Sequence, residues 1–209
     1  MSRRRISLAI AIVAYALFLA LGHAVGREPD PGPMFFVEAT WVNHATLIAE
    51  FLTWMCYPYV LAPICIALIA VAVRVPQWRG PIAFSIVALL LAWRGADFAQ
   101  HYFARPRRLD WIVKHETSFS YPSSHATIVT AFYLLWSILI ARSALAGRAS
   151  VAVLLALVGF GIMWSRLALG AHYLTDIVGG VLLGVALVGT LSALWPTNVF
   201  EGRAGASLE

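Results

Sequence analysis

The chain has 209 residues and a formal net charge of +5, and its composition is strongly apolar. Hydrophobic residues make up 61% of the chain and charged residues only 12%, about half the share found in soluble domains. The mean hydropathy is +0.80, and the apolar residues lie in long uninterrupted runs. This composition excludes a soluble globular domain. The basic residues lie between the apolar runs and form no groove or arm, so they do not indicate a nucleic-acid partner.

Six apolar runs approach the length of about 20 residues that a membrane-spanning helix needs. In chain order they predict helices over residues 6–25, 51–73, 81–104, 124–141, 149–165 and 172–195. The first run follows three arginines, as in a signal peptide, but no convincing cleavage site precedes Gly26, so we interpret it as a retained anchor. The predicted fold is all-α: a polytopic membrane protein with six transmembrane helices in one bundle and one domain, residues 1–204. Residues 205–209 resemble a remnant of cloning.

The connections between these runs fall into two chemical classes, which predict the orientation. One class carries arginine without acidic residues, namely Arg3 to Arg5, Arg74, Arg79, Arg142 and Arg148. The other class mixes acidic and basic residues. By the positive-inside rule the arginine-only side is cytoplasmic. The sequence therefore predicts a multi-pass cell (inner) membrane protein with both termini in the cytoplasm.

The first outer connection, residues 27–50, is too long for a simple turn. Trp41, Ala45 and Ile48 recur there at helical spacing beside polar residues. This pattern predicts a short amphipathic helix at the lipid surface. Such a helix is either an inert interfacial element or a gate for substrate entry.

Ionisable residues in membrane segments are costly and therefore indicate function. Here they lie at the ends of the third and fifth segments and at the starts of the fourth and sixth. Because helix direction alternates, all of these positions face the same outer side of the membrane. The residues brought together are Arg105, His125, Arg166, His172 and Asp176.

Two of these clusters carry recognisable chemistry. Residues 121–125 (Tyr-Pro-Ser-Ser-His) open a helix, whose free N–H groups can bind an anion; the alternative is an ordinary helix cap. His172 and Asp176 are four residues apart, so they share one helix face, where the carboxylate can orient the imidazole. The alternative is a purely structural pair. His125 has no such carboxylate at that offset, which indicates a different role for the second histidine.

The remaining cations divide between the site and its surroundings. Arg105 and Arg166 are suited to a tetrahedral oxyanion, because a guanidinium donates two parallel hydrogen bonds. We interpret Arg107, Arg108 and Lys114 as a solvated interfacial loop that contacts anionic headgroups. The spacing of the histidines and the aspartate matches no common zinc site, and the arginines would repel a cation. We therefore expect no metal and no cofactor.

Together these clusters resemble the three-part signature of the type-2 phosphatidic acid phosphatase superfamily, KxxxxxxRP, PSGH and SRxxxxxHxxxD. Arg105-Pro106 represents the first part, Pro122 to His125 the second, and Ser165 to Asp176 the third, which matches completely. The resemblance covers residues 81–195. It implies a membrane lipid phosphatase that acts on a phosphomonoester or diphosphate through a phosphohistidine.

The resemblance also implies a role for each matching residue. His172 would attack phosphorus, oriented by Asp176, and His125 would protonate the leaving oxygen. The phosphoryl oxygens would be held by Arg105, Ser123, the backbone at Ser124 and Arg166. Ser124 replaces the family glycine, and Phe98 stands where the lysine belongs. Arg94 and His101, on the same helical face, are candidates to substitute for that lysine.

The expected partner is a phosphorylated membrane lipid, such as phosphatidic acid, phosphatidylglycerol phosphate or a polyprenyl diphosphate. The alternatives are a lipid phosphotransferase that uses the same histidine and a non-catalytic transporter or lipid-binding protein. A transporter is disfavoured because the polar residues gather at one face, not at the membrane midplane. The sequence does not indicate the oligomeric state.

Overall fold

The fold, seen in a computed structural model, is built from helices. The structure describes residues 3–26, 44–107 and 117–196, and within these ranges no strand occurs. The helices are α1 (Arg3–Val25), α2 (His44–Trp54), α3 (Pro58–Arg74), α4 (Arg79–Phe103), α5 (Ser124–Ala141), α6 (Arg148–Ala168) and α7 (Leu174–Leu194). A single 3₁₀ turn, Pro76–Trp78, precedes α4, and α5 contains a π-helical segment, Val129–Leu134.

Five of these helical segments are long and apolar enough to cross a membrane, and six spans result if the bent pair α2 and α3 counts as one. The side chains that remain exposed on them are largely aliphatic and aromatic, as lipid-facing surfaces require. The predicted fold class, an all-α multi-pass membrane protein, is confirmed.

The second predicted span differs from the sequence interpretation because it is broken. α2 and α3 meet at a bend of 47°. Pro58 opens α3, and Tyr57 before it is extended (φ −80°, ψ 153°), as a residue preceding proline prefers. The amphipathic helix expected in the first outer connection falls partly on α2 and partly on residues 27–43, which lie outside the described residues. α2 packs through buried Ala49 against the last turn of α6.

α7 lies against both α1 and α5, and its small residues allow this close approach. A Cβ atom built on Gly180 would lie 2.5 Å from the backbone oxygen of Ser123, and one on Gly184 would lie 2.6 Å from Thr130 Cβ. Glycine at these positions lets the start of α5 contact the backbone of α7 directly. On the other side, Phe18 of α1 stacks on Tyr121, whose hydroxyl donates to the Phe18 carbonyl at 2.6 Å. The segment that precedes α5 is therefore fixed between α1 and α7.

Candidate active site

The His172–Asp176 pair lies where the chain passes from α6 into α7. Gly170, with a positive φ of 67°, turns the chain after α6, and His172 precedes α7 instead of lying within it. The pair still meets: His172 Nδ1 lies 3.4 Å from Asp176 Oδ2, and both side chains are 0% exposed. This distance is longer than an optimal hydrogen bond, and Nδ1 has no hydrogen-bond partner within the described residues, so the pair is a contact at ion-pair distance.

The Asp176 carboxylate is held by donors on both oxygens. Oδ1 accepts a hydrogen bond from Arg105 at 2.8 Å. Oδ2 accepts from the Ser120 hydroxyl at 2.5 Å and from the Tyr173 N–H at 2.9 Å. Because Tyr173 is the N-cap of α7, Asp176 also caps the helix that carries it. The carboxylate therefore has a fixed orientation towards His172.

Arg105, which the sequence assigns to the phosphate, contacts a carboxylate and a hydroxyl in the structure. Its guanidinium is fully buried, donates to Thr175 Oγ1 as well as to Asp176, and lies 4.3 Å from the centre of the Tyr173 ring. The reason is local: α4 ends at Phe103, and Ala104 takes a left-handed conformation (φ 48°, ψ 36°). The chain leaves the helix axis at this residue, so Arg105 does not continue a face of α4.

Arg107 is the arginine that contacts the imidazole, and the sequence analysis missed it. Its NH1 donates to His172 Nε2 at 3.0 Å and to the Ala171 carbonyl at 2.9 Å. Nε and NH2 donate to the carbonyl and hydroxyl of Ser118 at 2.7 and 2.8 Å. Since arginine is only a donor, Nε2 must be the acceptor and carries a lone pair, while the ring proton is on Nδ1 facing Asp176.

This contact suggests a second register for the first signature element, with Arg107 as its arginine, although Arg108 stands where the signature has proline. If its arginine is Arg107, the lysine position seven residues earlier is Gln100, not Phe98. Gln100 is 4% exposed, and its Nε2 donates to the Pro122 carbonyl at 2.9 Å, whereas Phe98 is 76% exposed on the outside of α4. The signal for Arg107 was the arginine directly after Pro106, but the Arg-Pro pair at 105–106 matched the signature first.

Arg94 and His101 lie outside the site. Arg94 is exposed, and the His101 side chain is 70% exposed, with Nδ1 close to the Asp97 carbonyl and carboxylate of its own helix. The face that they were expected to share with Arg105 does not exist, because Arg105 follows the end of α4.

Alanine at Arg94 or His101 is therefore expected to leave kcat/KM for phosphate release within about two-fold of wild type, as is usual for exposed positions. Gln100→Ala is expected to lower it by about ten-fold, because it frees the segment before His125 and displaces the reacting groups. Steady-state assays on the three purified variants test this. A loss at Arg94 or His101 that exceeds the loss at Gln100 would contradict the register.

Ser123 to His125 form the start of α5, and His125 points into the interior. Ser123 is the N-cap, and its N–H donates to the backbone oxygen of Asp176 at 2.9 Å, which joins the two helix starts. The His125 ring is buried, hydrogen-bonds the backbone of Thr53 and packs edge-on against Tyr57. Its Nε2 has no hydrogen-bond partner in the described part of the chain. Nε2 is therefore able to hydrogen-bond a ligand that enters the site.

Arg166, in the last turn of α6, completes the cluster. It is 1% exposed, and its NH1 donates to Thr53 Oγ1 of α2 at 2.8 Å. His172 lies outside the helices, and its pKa is lowered to about 4, first by burial and then by the positive charge of Arg107, while Asp176 acts in the opposite direction. His172 is therefore neutral at physiological pH and carries a lone pair on Nε2, which accepts the hydrogen bond from Arg107. Within the described ranges, no three His, Cys, Asp or Glu residues are placed to hold a metal ion.

A groove of about 490 Å³ runs from the His125 side of the cluster between α3 and α4. Most of its lining is apolar, including Leu61, Leu89 and Trp93. Polar groups from Gln100 and Ser124, together with His125, also line it. The groove thus combines an apolar wall with a polar portion that adjoins the catalytic candidates.

A neutral imidazole, its carboxylate partner and buried arginines lie together at one end of a helical membrane protein, and such groups could bind an anion. Residues 5–200 match the family model of the PAP2 superfamily. The chain belongs to this superfamily, which confirms the resemblance found in the sequence.

Individual relatives agree with this assignment. The chain is 32% identical over 111 residues to the putative undecaprenyl-diphosphatase YbjG of Escherichia coli (strain K12); the match covers 51% of this chain and only 50% of that protein. The fold is similar to the crystal structure of a transmembrane PAP2 type phosphatidylglycerolphosphate phosphatase from Bacillus subtilis (TM-score 0.70, 16% identity, 87% and 94% of the two chains). It is also similar to Aquifex aeolicus LpxE (TM-score 0.57, 17% identity, 74% and 89%). At these identities the structures establish a shared fold.

Proposed function

We propose that this protein hydrolyses a phosphomonoester or diphosphate of a membrane lipid through a phosphohistidine formed on His172. The observation that carries the proposal is the placement of His172 Nε2, whose lone pair meets Arg107 while Nδ1 faces Asp176. A phosphoryl group that took the place of the Arg107–Nε2 contact would be next to the nucleophile and to a guanidinium at once. Membership of the superfamily and the names of the relatives support a lipid phosphate as substrate.

The groove between α3 and α4 supports a lipid in particular. An acyl or polyprenyl chain is apolar, and the lining side chains of α3 and α4 offer apolar contacts to it. With the hydrocarbon chain of the lipid in this groove, its ester oxygen would lie beside His125 and its phosphorus beside His172. The lipid thus remains partly in the bilayer while its phosphate enters the polar cluster.

In the first step, His172 Nε2 attacks phosphorus and the bond from phosphorus to the lipid oxygen breaks. His125, protonated on Nε2, gives its proton to the leaving oxygen, which departs as a lipid alcohol or, from a diphosphate, as a lipid phosphate. Asp176 stabilises the positive charge that develops on the phosphorylated imidazole. Arg107 and Arg166 neutralise the charge on the transferring oxygens.

In the second step, water attacks the phosphohistidine and restores the enzyme. His125, now neutral, accepts a proton from the water as the P–N bond breaks, and inorganic phosphate leaves. The sum of the two steps is hydrolysis of one phosphate bond by one water molecule. This chemistry requires only the side chains named, so we expect it to proceed without a metal ion.

Replacing His125 with alanine is expected to separate the two steps. Loss of a general acid costs about 10²- to 10⁴-fold, but an aryl phosphate with an acidic leaving group needs no protonation. With such a substrate, His125→Ala should still phosphorylate His172 and should then accumulate the phosphoenzyme, since water activation is impaired. A phosphohistidine is hydrolysed in acid, so the reaction is stopped with alkali. The phosphoryl group bound to the protein is then measured. Equal losses on aryl and lipid substrates, with no accumulation, would contradict the role given to His125.

The overall activity is tested by phosphate release from detergent-solubilised protein in EDTA. The substrates are phosphatidic acid, phosphatidylglycerol phosphate and a polyprenyl diphosphate. We expect EDTA-resistant release from at least one of them. Transfer of the phosphoryl group to an added lipid alcohol without release of phosphate would instead indicate a phosphotransferase, and no turnover of any kind would contradict the proposal.

We further propose that the site faces the non-cytoplasmic side of the membrane. Arg74, Arg79, Arg142 and Arg148 lie at the helix ends away from the site, where the positive-inside rule places the cytoplasm. A reporter enzyme that is active only outside the cytoplasm, fused to the C terminus, should be inactive. An active reporter would reverse the orientation.

A further inference from the structure

The arginine that the sequence placed on the phosphate has a different set of contacts in the structure. Arg105 NH1 donates to Asp176 Oδ1 and to Thr175 Oγ1, both at 2.8 Å, and neither Arg105 nor Asp176 is exposed. Its guanidinium also stacks on the Tyr173 ring. Asp176, Thr175 and Tyr173 belong to the first turn of α7 or its cap. Arg105 therefore binds the element that carries Asp176.

A second contact links Arg105 to the other side of the same carboxylate. The Ser120 N–H donates to the Arg105 carbonyl at 2.8 Å, and the Ser120 hydroxyl donates to Asp176 Oδ2. The two oxygens of Asp176 are thus held by one residue and by the segment that this residue's backbone fixes. Both the Arg105 guanidinium and the Ser120 hydroxyl thus donate to the carboxylate that faces His172.

We propose that Arg105 is a positioning residue, which orients Asp176 against His172, and that it does not bind the phosphoryl group of the substrate. The division of labour between the two neighbouring arginines follows from their contacts. Arg107 meets the nucleophilic nitrogen, whereas Arg105 meets the carboxylate that orients the opposite nitrogen of the same ring. This inference rests on the proposed function.

The charge of Arg105 has a second consequence, because it partly offsets the charge of Asp176. Without it, the carboxylate attracts a proton on His172 more strongly, so the pKa of His172 rises and the nucleophile is lost at a higher pH. The other groups acting on His172 are the cations Arg107 and Arg166 and, from α5, His125; Tyr121 lies near Asp176 and Arg105. These groups are unchanged in an Arg105 variant. A shift in the pH at which kcat/KM falls on the acid side therefore reports on the Arg105–Asp176 pair.

The test compares Arg105→Gln with Arg107→Gln, which removes the same charge two residues away. Arg105→Gln is expected to lower kcat by about 100-fold through misorientation, with the inhibition constant of inorganic phosphate within about two-fold of wild type. The acid limb of its kcat/KM profile is expected at higher pH. Arg107→Gln is expected to raise the phosphate inhibition constant by about ten-fold or more, because a charge-assisted contact to the anion is lost. Arg105→Lys, which keeps the charge, should restore the wild-type acid limb.

Ser120→Ala protects the test against loss of folding, since it removes a donor to Asp176 without leaving a buried charge unpaired. It should lower kcat and leave the phosphate inhibition constant unchanged. A rise of that constant in Arg105→Gln equal to the rise in Arg107→Gln would overturn the proposal. If Arg105→Gln fails to fold, the test depends on Ser120→Ala. An unchanged kcat in Ser120→Ala would then overturn the proposal. Phosphate binding to the resting protein, measured as protection against heat, requires no lipid turnover, so failure of the proposed function would be recognised separately.

Discussion

Replacing His172 with alanine is expected to abolish phosphate release, with a loss on the order of 10⁴-fold or more, as for removal of other catalytic nucleophiles. The ring is the only described group that offers a lone pair between Arg107 and Asp176, and its neutral state is favoured by burial. Alanine leaves no atom to accept the phosphoryl group. The measurement is kcat of the purified variant in detergent, with folding checked by gel filtration and thermal unfolding.

The matched control for this variant is His23→Ala. His23 is exposed on α1 and packs only against aromatic rings at the end of α4 among the contacts recorded for it. Its replacement should leave kcat within about two-fold of wild type. Retention of a tenth or more of the wild-type rate in a folded His172→Ala protein would exclude His172 as the nucleophile.

Replacing Arg107 with alanine is expected to have the second-largest effect, a fall in kcat/KM of about 10²- to 10³-fold, the usual cost of losing a donor to the transition-state oxyanion. Its guanidinium lies 3.0 Å from His172 Nε2. The loss should appear in both kcat and KM, because the charge attracts the phosphate in the ground state and in the transition state. Inhibition by inorganic phosphate measures the loss of binding in the ground state. The kcat/KM for a lipid phosphate measures the loss in the transition state.

Arg148→Ala provides the control for the loss of one positive charge. Arg148 is exposed at the start of α6, whereas the site lies at the other end of that helix. We expect its kinetics to be unchanged within about two-fold. If Arg107→Ala behaved in the same way as Arg148→Ala, the phosphate would have to bind elsewhere in the cluster.

The membrane fold and the convergence of the site could be predicted because both depend on long-range patterns in the sequence. Apolar runs of spanning length determine the helices, and the alternation of their directions gathers the ends of α4 and α6 with the starts of α5 and α7. The contact between His172 and Asp176 follows from their spacing, although His172 precedes α7 and does not share its helical face. These features depend little on the exact position of any helix boundary.

The roles of Arg105 and Arg107 could not be separated in this way. Both lie in an irregular segment that begins at the left-handed residue Ala104, where no periodicity relates a side chain to a face. Two registers of the signature, two residues apart, place the lysine position either at the exposed Phe98 or at the buried Gln100. Only the hydrogen bonds of the folded chain distinguish an arginine bound to a carboxylate from one bound to an imidazole.

The break between α2 and α3 was missed for a related reason. Residues 51–73 carry no charge and are mostly apolar, so hydropathy gave no sign of an interruption. The local signal was Pro58, which disfavours helical geometry at Tyr57. Proline alone does not mark such a break, because Pro63 lies within α3 without ending it.

The most direct test of the mechanism is to locate the phosphoryl group on the protein during turnover. Wild-type protein and His125→Ala are mixed with an aryl phosphate, denatured in alkali within the first turnovers and digested, and the peptides are examined by mass spectrometry. We expect phosphorylation on the peptide that contains His172, stronger in His125→Ala and absent from His172→Ala. Phosphate release in the burst phase without any phosphorylated peptide, or phosphorylation of another residue, would contradict transfer through His172.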